Sequence, residues 1–312
     1  MRVVFMGTPE FSVGTLESLV NAGHEVVGVI TQPDKPKGRG KVMQFTPVKE
    51  KALEYQIPVY QPLKVKEEAF IEELKKMEPE AIVVVAFGQI LPKAILDLPK
   101  YGCINVHASL LPKLRGAAPI EWSIINGEQE TGITTMFMDV GLDTGDMLLK
   151  SVTPIKPTDT GAILHDRLSK MGADLLIETL DGLLHGTIER VKQKDEDSTY
   201  AKMLTKTLGQ IDFTQSAIEI ERLIRGLNPW PSAYTNLDGK TLKIWSAKVL
   251  PEDSVGKPGE VVEVTKNSLV VQTGKGRLAL QELQLEGKKR MEVDAFLRGY
   301  AVAEGTMLQS KQ

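Results

Sequence analysis

Apolar residues in this chain gather in short runs separated by amphipathic stretches. Val3–Met6 is such a run, it stops at Gly7, and it reads as a buried strand. Ser12–Asn21 follows with Val13, Leu16, Leu19 and Val20 at helical spacing and Gly23 as a stop. Glu25–Thr31 holds Val26, Val27, Val29 and Ile30, a second strand. Thr46-Pro47 predicts a helix start, because threonine caps and proline suits the first helical position; that helix runs to about Gln56. Val59-Tyr60 predicts a short strand and Glu67–Met77 a charged helix. Ala81–Phe87 is the most apolar strand candidate, as a central parallel strand buried on both faces requires. Leu91–Leu98 predicts a short helix and Gly102–Ser109 another strand. Runs at 131–139 and 148–155 extend the sheet, and a long helix over 160–184 closes it. This alternation predicts a doubly wound α/β domain with a mostly parallel, Rossmann-like sheet.

The pattern then changes. Gln193–Lys206 is polar and without period, so it reads as a linker. A helix over Ser216–Leu227 precedes short strand-like runs at 233–237, 242–247, 260–265, 268–273 and 277–285. Short strands at regular spacing predict a small OB-like β-barrel. The expected organisation is an α/β domain over 1–190, a linker over 191–207 and a β-barrel domain over 208–312. No internal repeat or low-complexity tract interrupts it.

Composition narrows the class. Charged residues make up 25% and hydrophobic ones 42%, as in ordinary soluble globular chains. The lone cysteine, Cys103, excludes an internal disulfide framework and fits a reducing compartment. No apolar run reaches membrane-spanning length, and the N-terminus reads as a strand, not a signal peptide. The expectation is a cytoplasmic monomer with no membrane attachment. A net charge of −3 does not announce a nucleic-acid binder, so local patches matter more. Pro33–Lys41 packs Lys35, Lys37, Arg39 and Lys41 with a single acid into a stretch whose glycines and prolines predict a mobile loop. Lys288, Lys289 and Arg290 form a second basic cluster. Each suits phosphate contact, and each also suits a solvated turn.

Candidate chemistry concentrates in Gly102–Gly116. On a strand, residues two apart share a face, so Asn105 and His107 project together. Ligands of open α/β sheets bind beyond the carboxyl ends of the strands, where this pair would sit. A strand end turning polar as it meets solvent gives the same pattern. Asp139–Asp146 is a glycine-spaced loop holding Asp143, a carboxylate that can hold an imidazolium charged and oriented. A self-capped surface turn is the bland alternative, and a calcium loop lacks its bidentate glutamate. Cys103 would lie roughly 13 Å along the strand from His107, too far for a thiolate–imidazole pair. Gly7–Phe11 lacks the dinucleotide glycine pattern, no Walker loop is present, and His24, His107, His165 and His185 have no metal-ligand spacing. No metal is expected. Asn, His and Asp suit acyl-type transfer, in which developing oxyanion charge needs donors.

At these residues the chain resembles the folate-dependent formyltransferases. The likeness rests on Asn105-Val-His107, Ser109-Leu-Leu-Pro112, Arg115-Gly116 and Asp143. It extends to Gly7-Thr-Pro9, Thr31-Gln-Pro-Asp34, Gly38-Arg-Gly-Lys41 and Asn228-Pro-Trp-Pro231. The resemblance implies 10-formyltetrahydrofolate as donor and the α-amine of methionine on initiator tRNA as acceptor. It implies that Asn105 and His107 donate to the formyl oxygen and that Asp143 pairs with His107 and helps accept the amine proton. Ser109, Leu110, Leu111 and Pro112 would line the folate pocket, with Phe87, Gly88, Ile90 and the backbone near Val140 holding the pterin. Arg39 would enter the acceptor stem. Two alternatives share parts of this set: a relative acting on a small amine or on water, and an RNA-binding protein with an inactive α/β domain.

Overall fold

The computed structural model describes residues 1–37, 42–252 and 255–308. Its chain divides into two compact units. The first comprises Met1–Gly116, Glu130–Pro154 and His165–Ala201; the second comprises Ala117–Gln129, Ile155–Leu164 and Lys202 onward.

The first unit is built on strands β1 (Arg2–Gly7), β2 (Glu25–Ile30), the hairpin β3 (Lys35–Lys37) and β4 (Val42–Gln44), β5 (Val59–Tyr60), β6 (Ala81–Val85), β7 (Cys103–His107), β8 (Arg115–Gly116), β9 (Glu130–Phe137), β10 (Met147–Pro154) and β11 (Tyr200–Ala201). Seven of them form one sheet in the order β10-β9-β7-β6-β1-β2-β5. β5, β2, β1, β6 and β7 run parallel, while β9 and β10 join antiparallel at the β7 edge. β6 takes the middle, and all five of its residues are buried. Beta-branched residues with no polar alternation leave that strand only this location. Helices α1 (Val13–Asn21), α2 (Pro47–Glu54), α3 (Glu68–Lys76) and α4 (Lys93–Leu96) connect the parallel strands. Thr46 caps α2 as expected, accepting from the Lys49 amide at 3.1 Å. Chain order reverses between β1 and β6, which makes their carboxyl ends the switch point where such sheets bind ligands. There Thr8 Oγ donates to the Phe87 carbonyl, tying the two loops together.

The basic stretch departs from expectation within its described part. Lys35–Lys37 pairs with Val42–Gln44 as an antiparallel hairpin where irregular loop was expected. Its base explains why: Lys49 binds Asp34 and Gln61, and Gln61 in turn donates to Asp34 and to the Gln32 carbonyl. This polar knot holds the strand that enters the hairpin. Arg39, Lys41 and the side chain of Lys37 lie outside the described residues.

The second unit carries α5 (Pro119–Ile125), the first residues of α6 (Gly161–His185), α7 (Ala217–Gly226), strands β12 (Ala233–Leu237), β13 (Lys240–Leu250), β14 (Val261–Val264), β15 (Leu269–Gln272), β16 (Arg277–Leu285) and β17 (Met291–Glu292), and α8 (Val293–Gly299). The strands form an antiparallel sheet ordered β12-β13-β16-β15-β14, with β17 on β16. Two register shifts bend β13 around a core that includes Ile220, Ile224, Leu242, Ile244, Leu280 and Phe296. Among the described residues no ladder joins β12 to β14, so the sheet is partly open, as small OB barrels are. Gly226 of α7 rests against α5, where an added Cβ would meet Ile125 at 2.7 Å.

Candidate active site

β7 delivers the first two groups. Asn105 pairs in register with Val84 of β6 and Met136 of β9, and His107 projects from the same face two residues on. The Asn105 amide is half-buried and, among the described residues, makes no hydrogen bond to protein. The amide is therefore accessible from the open side of the strand end.

His107 is 7% exposed. Its Nε2 lies 3.0 Å from the Leu114 carbonyl, an acceptor only, so Nε2 carries hydrogen and donates. Its Nδ1 faces Asp143 Oδ2 at 3.8 Å, beyond hydrogen-bond length. With one proton the ring would turn a lone pair toward the carboxylate. With two, the Nδ1–H would face the carboxylate across a gap too long for a hydrogen bond. Nε2 is engaged by Leu114, so donation to any external oxygen requires it to share that proton.

Asp143 is fixed from several sides. It sits at φ +54°, a left-handed conformation uncommon outside glycine. Its Oδ2 accepts from the Gly116 amide at 2.8 Å. Gln193 Nε2 donates to the carbonyls of Asp143 and Gly145, both at 2.8 Å, and Gln193 Oε1 accepts from Arg115 Nε at 3.0 Å. Arg115 then pairs with Asp195 at 2.9 Å. β8 carries Arg115 and Gly116 and pairs with β11, which brings the stretch expected to be a linker onto the site. Gln193 has no signal in the sequence: it is one polar residue in a polar run, and its partners lie 48 to 78 positions away.

The loop after β7 needs correction. Ser109 and Leu111 are fully buried. The Ser109 hydroxyl donates to the Lys113 carbonyl, and Leu111 packs with Met136 and Met147. Thr134 Oγ donates to the Ser109 carbonyl and accepts from the Leu111 amide, while Lys150 binds the Leu111 carbonyl. In this placement their side chains brace the loop from beneath. Leu110 and Pro112 alternate outward and are half-buried. Phe87 is likewise buried, in the cluster with Leu91 and Ile95. Its contribution is its carbonyl, which accepts from Thr8 and Gln32. Gly88 follows at φ +85°, with nothing closer than 3.8 Å to an added Cβ. Ile90 and Val140 are 81% and 68% exposed. Met138, at the base of the Val140 loop, packs on the Phe87 cluster, so the two apolar rims rise from common ground.

Cys103 is buried, and desolvation first, with Asp97 second, pushes its thiol up to about 12. It stays neutral, as a packing residue should. Among the described residues no group of three histidine, cysteine or acidic side chains is placed to hold a metal, and no helix is long and apolar enough to cross a membrane. In the second unit Lys288, Lys289 and Arg290 are exposed around Gly287. Arg290 pairs with Glu282 and lies 4.6 Å over the Trp245 ring, which Lys243 also approaches at 5.5 Å. The half-buried Trp245 ring thus lies beneath two cations.

Residues 1–180 match the family model described as formyl transferase, and residues 203–301 match the one described as formyl transferase, C-terminal domain. A methionyl-tRNA formyltransferase of Agathobacter rectalis is 60% identical over 306 residues, covering 98% of this chain and 99% of that protein. One from Lachnospira eligens is 56% identical over 313 residues, covering 99% of each. Among solved structures, the sugar 3N-formyl transferase WlaRD, determined in the presence of dTDP and 5-N-formyl-THF, superimposes with a TM-score of 0.67 at 20% identity, over 93% of this chain and 99% of that one. HypX from Aquifex aeolicus gives 0.63 at 18% identity, over 95% of this chain and 48% of that one. At those identities the structures speak for the fold alone. The chain belongs to the formyltransferase family, and within it to the methionyl-tRNA formyltransferases.

Proposed function

We propose that this chain transfers the formyl group of 10-formyltetrahydrofolate to the α-amine of methionine on initiator tRNA, in the cytoplasm, with Asn105, His107 and Asp143 carrying the chemistry. The observation that bears most weight is the Asn105 amide, unpartnered beside an imidazole that faces a carboxylate.

For the folate, the exposed apolar rims at Ile90 and Val140 beside Gly88 support a binding surface, and when bound the folate would supply an activated one-carbon group. As the amine attacks, negative charge grows on the formyl oxygen. Asn105 Nδ2 donates to that oxygen, and His107 joins it from the same strand face through the Nε2–H that it shares with the Leu114 carbonyl. Preorganised donors of this kind are worth on the order of 3–4 kcal/mol each in a water-poor site. Asp143 orients the ring and takes the proton that the amine loses, directly or through one water, and that proton passes to the folate nitrogen as its bond to the formyl carbon breaks. The Gly116 amide holds Oδ2, which leaves the other carboxylate oxygen for that proton.

For the tRNA, the hairpin base at Lys35, the adjoining Lys37, Arg39 and Lys41, and the Lys288–Arg290 turn supply cations suited to phosphates. Trp245 offers a stacking face next to them. On this reading the α/β part carries the chemistry and both parts contribute cations to the tRNA.

The direct test is formyl transfer from 10-formyltetrahydrofolate to charged initiator tRNA, with charged elongator tRNA as control. His107→Ala and Asp143→Asn are expected to lose about 10²–10⁴-fold in kcat while still binding tRNA. Absence of transfer by the unmodified protein, or equal activity on any primary amine, would count against the proposal.

A further inference from the structure

We infer that Gln193 is a positioning residue for the transfer reaction, acting through Asp143. The inference rests on the catalytic role given to Asp143 above. Gln193 is 6% exposed, and all of its side-chain hydrogen-bonding points toward one purpose. Both Nε2 bonds end on the Asp143 loop, at the carbonyls of Asp143 and Gly145. Its Oε1 is held by Arg115, which in turn is tied to Asp195. The next residue after Arg115 is Gly116, whose amide holds the Asp143 carboxylate. The backbone and the side chain of Asp143 are therefore gripped by neighbours that are joined to each other.

The grip answers a physical need. A non-glycine residue at φ +54° is strained and persists where its surroundings over-determine it. Asp143 lies in a loop with Gly141 and Gly145 on either side, which gives the backbone little stiffness of its own. Two donors 2.8 Å from its carbonyls supply that stiffness. The imidazole lies 3.8 Å away, so a small drift of the loop separates the carboxylate from the ring. Misplacement of a catalytic group by about 1 Å costs roughly 100-fold in rate.

A double-mutant cycle tests this on the full-length protein, using 10-formyltetrahydrofolate and charged initiator tRNA. Gln193→Met keeps the volume and removes every hydrogen bond. Gln193→Glu keeps the acceptor for Arg115 and replaces both donations to the loop with repulsion between oxygens. Each is expected to lower kcat about 10–100-fold with the KM for folate unchanged. In an Asp143→Asn background the same substitutions are expected to cost almost nothing more. An equal loss in both backgrounds overturns the role of Gln193 while leaving that of Asp143 intact. Wild-type turnover in Asp143→Asn alone overturns the role of Asp143, and with it that of Gln193. Wild-type turnover in Gln193→Glu overturns the inference directly.

Discussion

Gly116→Ala is the sharpest single perturbation of this architecture. Gly116 sits at φ +112°, a region that side chains avoid, and adopting it costs an alanine on the order of 1–3 kcal/mol. There is also no room. An added Cβ would stand 2.6 Å from the Ala201 carbonyl oxygen and 2.7 Å from the Tyr200 ring. The ring can swing, because Tyr200 is 56% exposed, but the carbonyl belongs to the β8–β11 ladder and must move with its backbone. Relieving such overpacking costs roughly another 1–3 kcal/mol. The total, about 2–6 kcal/mol, is a large share of the 5–15 kcal/mol typical of a domain. Gly186→Ala is the matched control: it has φ +66° and nothing within 4 Å, so it reports the conformational cost without the clash. Urea unfolding followed by circular dichroism, run on both variants, separates the two contributions. In the folded fraction, movement of β8 draws the Gly116 amide away from Asp143, and turnover is expected to fall about 10–100-fold. Gly186→Ala should keep full activity. The reasoning fails if Gly116→Ala matches Gly186→Ala in both stability and turnover.

Four further outcomes follow from separate parts of the molecule. Ser216 and Glu219 form a reciprocal capping box at the start of α7, so Ser216→Ala should cost about 1 kcal/mol in urea unfolding. The Lys49 hydrogen bond holds the Asp34 carboxyl below its usual range; that pair therefore stabilises the fold above the unfolded carboxylate range and is lost as pH falls through the lowered value. The stability gap between wild type and Lys49→Met should accordingly be full at pH 7 and shrink toward strongly acidic pH. Lys288→Gln with Lys289→Gln should flatten the dependence of log tRNA affinity on log salt by about 1–2 in slope, read by filter binding across a salt series. Native protein should resist thiol alkylation at Cys103, with the reaction appearing only as urea unfolds it.

The parts of this molecule that were legible in its sequence are those whose cause is local. Five consecutive apolar residues at Ala81–Val85 admit only a strand buried on both faces, and the structure puts them in the middle of the sheet. The spacing of Asn105 and His107 determines that they share a face wherever the strand lies. Thr46 and Pro47 carry a helix start in their own covalent chemistry. What escaped was set by partners distant in the chain. Glycines and prolines argued for an irregular basic loop, yet Asp34, Lys49 and Gln61 meet across 12 to 27 positions and set the base of a hairpin. Ser109 and Leu111 matched a motif, and a motif does not tell which of its residues face a ligand; the Thr134 hydroxyl, contributed by a neighbouring strand, turns them inward. Gln193 is the extreme case. Nothing in its own neighbourhood distinguishes it from Lys192 or Lys194, and its importance exists only once β8 has brought Arg115 beside it. Catalytic groups are thus marked by their chemistry, which a sequence displays, whereas the residues that hold those groups still are marked by closure of the fold. The same division predicts where substitutions do silent damage: at Gln193, Arg115 and Thr134, whose side chains brace the segments that carry the proposed catalytic groups.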